Sequence, residues 1–306
     1  MVEFISHLHK YKYRVFGLTA ASDIMLPQLF ETTGEPDIFI MKGEVPEEID
    51  SAISKNEYVQ VSGSELLFRI TGVGRYFISN GKYIVVKPDS ECNEQLVQLY
   101  LLGSAMGAVL FQRGTLPIHG SAVVIHDKAV IITGGSGAGK SSLTLALREM
   151  GCKFLTDDIS ALTQDNDGII YVQPAYPQQK LWKDSIEAMG DDVEDLTQIN
   201  NRKDKYYYPA VQGFCDHPVR LGAVCEIVPQ DGDVTELRTV KGVEKVDILM
   251  RNIYRYQLAG YFGNGQAYFK KCADIANSVS MFRLFRPVGK FTANEQAEQL
   301  IAKAVF

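Results

Sequence analysis

The run GGSGAGKS at residues 134–141 constrains this chain more than any other feature. It fits G-x-x-x-x-G-K-[ST], a loop whose glycines let successive backbone N–H groups turn inward onto phosphate oxygens. The apolar run AVIIT precedes it and the good helix formers SLTLALREM follow. This order predicts a buried strand, an anion-holding turn, and a helix whose positive N-terminal end faces the same anion. Gly134, Gly135, Ser136, Gly137, Ala138, Gly139, Lys140, Ser141 and Ser142 are the expected nucleotide-binding set. Lys140 is placed to neutralise β- and γ-phosphate charge, and the Ser141 hydroxyl to hold Mg²⁺.

The neighbouring segments narrow the chemistry. SAVVI and AVIIT flank only HDK, a link short enough to demand an antiparallel hairpin. With His126 and Asp127 in the turn, paired positions sum to 253 and His119 falls opposite Gly134; with Asp127 and Lys128 in the turn, its partner becomes Ser136. Either register sets His119 beside the mouth of the loop, suited to orienting a γ-phosphate or easing proton removal. CKFL, after the helix, is expected to run parallel to AVIIT through a right-handed crossover, with the C-terminal ends of both strands at one edge. Asp157 and Asp158 sit at that end. One carboxylate, Asp158, is the expected Mg²⁺ ligand with Ser141; the other, Asp157, is the expected acceptor of a hydroxyl proton. His119, Lys140, Asp157 and Asp158 are thus the candidate catalytic residues. Phosphoryl transfer needs mainly charge neutralisation and alignment, and nothing in this stretch offers an activated Cys or Ser nucleophile.

Farther along, Arg202, Lys203 and Lys205 read either as solvated surface charge or as a mobile basic segment closing over phosphates, with Lys180 a weaker candidate of the same kind. Trp182 reads as core or as an interface anchor. Residues 1–90 hold short Val-, Ile-, Tyr- and Phe-rich segments (YRVFGL, DIFIMKG, EYVQV, ELLFRI, RYFISN, KYIVVKP) between Gly, Asn, Ser and Pro, which predicts a separate, mainly antiparallel β domain. Residues 91–306 read as the α/β domain that carries the loop: an apolar helix over about 91–111, alternating strands and helices, a polar surface insertion from Lys183 to Asp204, strands in RLGAVCEIVP and DVTELRTV, and helices over about 243–258 and at the C-terminus.

Composition closes off other classes. A net charge of −6 argues against a broad nucleic-acid-binding face. The five cysteines include no C-x-x-C pair, which disfavours a zinc cage or disulfide framework. The N-terminus MVEFISHLHKYKYR lacks a signal-peptide apolar run, and LVQLYLLGSAMGAVLF is shorter than a bilayer span and interrupted by Gln98, Ser104 and two glycines. The expectation is a cytoplasmic protein with no membrane partner, homo-oligomerisation staying open.

PIHG, VIITGGSGAGKSS and GCKFLTDD, in that order and spacing, resemble the catalytic domain of the HPr kinase/phosphorylase family, over about residues 116–163. FGLTAASDIMLPQL and FQRGTLPIHGSAV resemble the shorter HPr-kinase-like proteins, some of which, associated with lasso peptides, phosphorylate a precursor peptide on its C-terminal serine. The resemblance implies a mixed α/β kinase core related to phosphoenolpyruvate carboxykinase. It also implies ATP- and Mg²⁺-dependent transfer to a serine hydroxyl of a peptide or small protein, with His119, Lys140, Ser141, Asp157 and Asp158 in the motif positions. Ser142 departs from the family, which carries an acidic residue there, and no phosphorolysis segment is evident. An HPr-type protein kinase, a small-molecule or carboxykinase-like kinase, and a non-catalytic nucleotide-binding protein stand as the alternatives.

Overall fold

The computed structural model describes residues 9–199, 203–262 and 265–304. The chain divides into two compact units, Met1–Arg113 and Gly114–Phe306. The division follows the apolar helix instead of preceding it, so residues 91–113 go with the β-rich unit and not, as expected, with the phosphate loop.

Unit 1 is a nine-stranded sheet among the described residues, antiparallel except where Ile38–Lys42 runs parallel to Leu18–Ser22 and to Tyr83–Pro88. YRVFGL is two strands, not one: Phe16 and Gly17 both take positive φ (52° and 74°) and turn Tyr11–Val15 back onto Leu18–Ser22. Strand alternation commits both faces of the sheet. Phe77, Val85 and Leu67 pack with Val45 and Ile49 on one side. Tyr76, on the other, donates its hydroxyl to the Val97 carbonyl in helix Glu94–Gln112. That helix is long and apolar enough to cross a membrane, but 72% of its apolar window is buried inside the molecule, as in a core helix. Leu101–Ala105, with Gly103 and Ser104, forms a π-helical segment at its centre.

Unit 2 is built on β1 (Leu116–Ile125) and β2 (Lys128–Gly134), followed by helix α1 (Lys140–Glu149), β3 (Lys153–Thr156), β4 (Ile159–Gln164) and β5 (Ile170–Gln173). Next come β6 (Gln178–Trp182), α2 (Lys183–Ala188), β7 (Lys205–Pro209), β8 (Val219–Gln230) and β9 (Glu236–Thr239). The unit ends in α3 (Val243–Arg251), α4 (Tyr256–Tyr261), α5 (Gly265–Ser278), β10 (Ser280–Pro287) and α6 (Ala293–Lys303). The β1–β2 register runs from Gly120↔Thr133 to Ile125↔Lys128, the sum-253 pairing, with His126 and Asp127 at positive φ in the turn. β2 continues parallel to β8, and β8 parallel to β10. β3 points the same way as β2 but is not its neighbour: β1 lies between, antiparallel to both. The first half of β1 pairs with β4. β1, β2, β8 and β10 bury Val123, Ile132, Cys225 and Leu284 against Leu143 and Leu147 of α1 and Ala297 and Leu300 of α6.

Three readings change. The helical pattern over 243–258 breaks after Arg251, because residues 252–254 serve the open edge of β1. The His119 N–H donates to the Asn252 carbonyl and the Tyr254 N–H to the Pro117 carbonyl, at 2.7 and 2.9 Å, and Arg255 then takes φ 47° before α4. The segment expected as a polar insertion also contributes to the core: Ile186 packs with Leu145 and Leu181, and Ile199 is buried. Finally, α5 and the core strand β10 were not evident in the sequence.

Candidate active site

Gly134 ends β2 at φ 137°, where a Cβ would lie 2.5 Å from the Ile227 carbonyl oxygen, so only glycine lets the chain leave the sheet here. Gly137 and Gly139 follow at positive φ (75° and 106°), and the space beside Gly135 and Gly137 is open. The loop thus has the backbone freedom and the room that a phosphate chain requires. The Lys140 ammonium donates to the Gly134 and Gly135 carbonyls at 2.9 and 3.0 Å. Burial lowers its pKa against the pull of the two aspartates. Arg286, from the C-terminal end of β10, donates from Nε to the Ala138 carbonyl at 2.5 Å and from Nη2 to the Gly137 carbonyl at 3.1 Å. It braces the loop by the carbonyls that a phosphate cannot use.

Asp157 and Asp158 leave β3 in a three-residue turn closed by the Ile159 N–H onto the Asp157 carbonyl at 2.8 Å, with Asp158 at φ 67°. A non-glycine residue in such a turn stores of order 1–3 kcal/mol of strain. Asp157 is buried and accepts from the Ser121 hydroxyl at 2.6 Å and from the Lys180 backbone N–H at 2.9 Å. Asp158 accepts from the Lys180 ammonium at 2.8 Å through Oδ2. Burial, then the charge of Asp158, raises the Asp157 pKa, and the Ser121 and Lys180 contacts oppose the rise. The Lys180 ammonium, outweighing burial, holds Asp158 well below the usual carboxylate range. Burial opposes the charge on Lys180, yet Asp158 keeps its pKa well above the ordinary value. One lysine therefore addresses both acids and separates their proton affinities.

His119 Nδ1 lies 3.1 Å from the Asp158 carbonyl oxygen. That oxygen can only accept, so Nδ1 carries the hydrogen and Nε2 of the neutral ring keeps its lone pair. Burial, then the Lys140 charge, lowers the His119 pKa. The Thr133 hydroxyl donates to the His119 carbonyl at 2.8 Å, and the Gly120 N–H to the Asp158 carbonyl at 3.2 Å. These bonds tie the histidine strand to the residue before the loop and to the acid turn. The structure thus brings His119, Lys140, Asp157 and Asp158 within one another's electrostatic reach.

The donor set suits Mg²⁺, which takes hard oxygens and usually needs one or two carboxylates beside phosphate. The Ser141 hydroxyl and Asp158 Oδ1 are such oxygens. Ser142 is instead bonded to the Ser185 hydroxyl of α2 at 2.9 Å. Trp182 is not core: it is 43% exposed, with the Lys205 ammonium 5.3 Å from its ring centroid. Lys203 is exposed, and Arg202 lies outside the described residues. Sequence reading missed Arg286 and named Lys180 only as a weaker candidate for closing over phosphates, not as the partner of both acids.

No protein-family model matches the chain. Curated proteins do match. The HPr kinase/phosphorylase of Clostridium botulinum (strain Eklund 17B / Type B) is 25% identical over 171 residues, 50% of this chain and 54% of that protein. That of Chloroherpeton thalassium is 26% identical over 177 residues, 58% and 46% respectively. The chain is weakly homologous to HPr kinase/phosphorylases. It spans about half the length of these curated relatives. Geobacillus sp. (strain WCH70) HPr kinase/phosphorylase is 36% identical over 56 residues, 18% of each chain. Among solved structures, the Hpr(Ser) kinase/phosphatase from Coxiella burnetii aligns with 61% of this chain and 93% of its own, at 14% identity and a TM-score of 0.31.

Proposed function

We propose that this chain is a cytoplasmic ATP- and Mg²⁺-dependent kinase that phosphorylates a serine hydroxyl on a peptide or small protein, in the finest reading a ribosomal precursor peptide of the lasso type at its C-terminal serine. One observation carries the reading: two adjacent carboxylates beside the glycine-rich loop, Asp158 paired with the Lys180 ammonium and Asp157 buried on the Ser121 hydroxyl. A pair of titratable groups pushed apart by their surroundings divides acid–base work between them. Asp157, with its raised pKa, accepts the serine proton as the serine oxygen bonds to the γ-phosphorus and the bond from that phosphorus to the ADP oxygen breaks. Asp158 stays ionised and, with Ser141, would hold Mg²⁺, whose charge supports the phosphate oxygens when it is bound. Lys140 and the loop amides bind the β- and γ-phosphates, and neutral His119 presents Nε2 to the acceptor or phosphate oxygens.

The homology to HPr kinase/phosphorylases supports the transferase class, while the serine acceptor rests on the family resemblance and the peptide acceptor on that of its shorter members. The test is mass spectrometry of serine peptides, including the peptide encoded beside this gene, and of HPr, after incubation with the chain, ATP and Mg²⁺. A phosphoserine product on the peptide supports the reading. Phosphorylation of HPr alone would make the chain an HPr-type kinase, and ATP binding without transfer to any acceptor would make it a nucleotide-binding protein.

A further inference from the structure

The break after α3 that closes the edge of β1 also brings a second ring onto His119. Ile118 bridges Ile253 antiparallel, and the two backbone bonds flanking the bridge set His119 across from Asn252 and Pro117 across from Tyr254. Side chains alternate along each strand, and opposed residues share a face. Buried Ile118 and Ile253 therefore take one face, while half-buried His119 and Tyr254 take the other as a diagonal pair. Their ring centroids lie 6.0 Å apart with the planes tilted by 41°, within the range over which aromatic rings attract. Arg255 engages the same tyrosine: its Nε donates to the phenol oxygen at 3.2 Å, and its guanidinium carbon lies 5.5 Å from the ring centroid.

We propose that Tyr254 is a positioning residue for His119, its ring walling the imidazole into the orientation in which Nδ1 donates to the Asp158 carbonyl. The inference rests on the kinase reading for its effect on transfer, and on this geometry for the ring itself. The terminal torsion of a histidine is broad and roughly two-fold, so a half-turn of the ring exchanges Nδ1 with a carbon. One 3.1 Å bond to a carbonyl does little to prevent that turn, and a neutral imidazole can carry its hydrogen on either nitrogen. An aromatic neighbour on the same face restricts the turn. The Tyr254 backbone N–H already completes the edge pairing with Pro117, so the side chain supplies something that strand alignment does not need. Its ring also keeps water from the imidazole, in line with the burial that lowers the His119 pKa.

The full chain, labelled with ¹⁵N-histidine, is followed by two-bond ¹H–¹⁵N correlation; among its five histidines, the His119 signals are those lost in His119→Gln. The unaltered chain shows the neutral Nδ1–H form and a titration midpoint below the usual value of about 6.5. Tyr254→Leu gives a mixture of both neutral forms and moves the midpoint up toward about 6.5, because water reaches the ring. In transfer from ATP to the acceptor peptide, its kcat falls about tenfold, less than the roughly 10²–10⁴-fold of losing an acid–base group outright, and the KM for ATP holds within about twofold. Tyr254→Phe keeps the ring and restores the Nδ1–H form and most of the rate. A merely structural Tyr254 would lower Tm in Tyr254→Leu and leave the histidine signals alone. That result overturns the inference, and so does an Nε2–H form in the unaltered chain, which needs no variant to fold. If the unaltered chain transfers phosphate to no acceptor, the kinase reading falls, and the histidine signals still decide whether Tyr254 sets the ring.

Discussion

Asp157 and Asp158 are neighbours in sequence with opposite electrostatic fates, and the difference yields tests at the scale of single residues. Asp157→Asn removes the proposed proton acceptor but leaves the loop untouched. Transfer is expected to fall about 10²–10⁴-fold, the usual weight of a general base, with calorimetric ATP affinity nearly unchanged. Equal turnover in that variant would remove the assigned role. The pH profile follows from the directions of the shifts. A base with a raised pKa is protonated on the acid side, so kcat/KM rises with pH through a midpoint above the ordinary carboxylate range. That midpoint belongs to the coupled pair of acids. His119, lowered by burial and by Lys140, adds no limb at its usual value of about 6.5, because any inflection it contributes lies below that. A rate–pH profile with a single inflection at the histidine value would contradict the assignment.

Elements, more than residues, decide whether the loop is held open. β2 delivers Gly134 against Ile227 of β8, where no side chain fits. Gly134→Ala meets that carbonyl at 2.5 Å and a φ of 137°. The expected cost is of order 1–3 kcal/mol, read as a lower Tm, together with loss of nucleotide binding. Glu226, one strand-residue before Ile227, is a second joint. Its buried carboxylate accepts from Arg251 of α3 at 2.6 Å and Arg283 of β10 at 2.9 Å. Truncation to Ala removes the acid shared by two guanidiniums, but Arg251 keeps Asp247 and Arg283 keeps Glu244, so a loss of about 1 kcal/mol in chemical denaturation is expected, well below the value for a buried pair. The hairpin was legible in the sequence because its register depends on a three-residue link and the period-2 pattern around it. The break in the 243–258 helix was not, because it answers a hydrogen-bonding demand from β1, more than a hundred residues away.

For the whole molecule, the division between units falls after residue 113 and not near 90, because the apolar helix finds its partner in the first sheet. Net charge acts at this scale too. At −6, with the site cations of unit 2 engaged by Asp158 and by loop carbonyls, the chain should not shift a duplex DNA or RNA probe in a gel at physiological salt. A salt-sensitive shift would reveal a basic face that the composition does not suggest.

Local patterns were enough to define the strand–loop–helix unit, the hairpin beside it and the two acids after CKFL. Each depends on contacts within a few residues, on glycine's access to positive φ, or on a short link that leaves two adjacent registers. Tertiary structure alone decided which cations meet those acids and that loop. Lys180 and Arg286 arrive on strands 22 and 148 residues away from their partners, and an ion pair over such a separation depends on the folded sheet, not on any spacing along the chain.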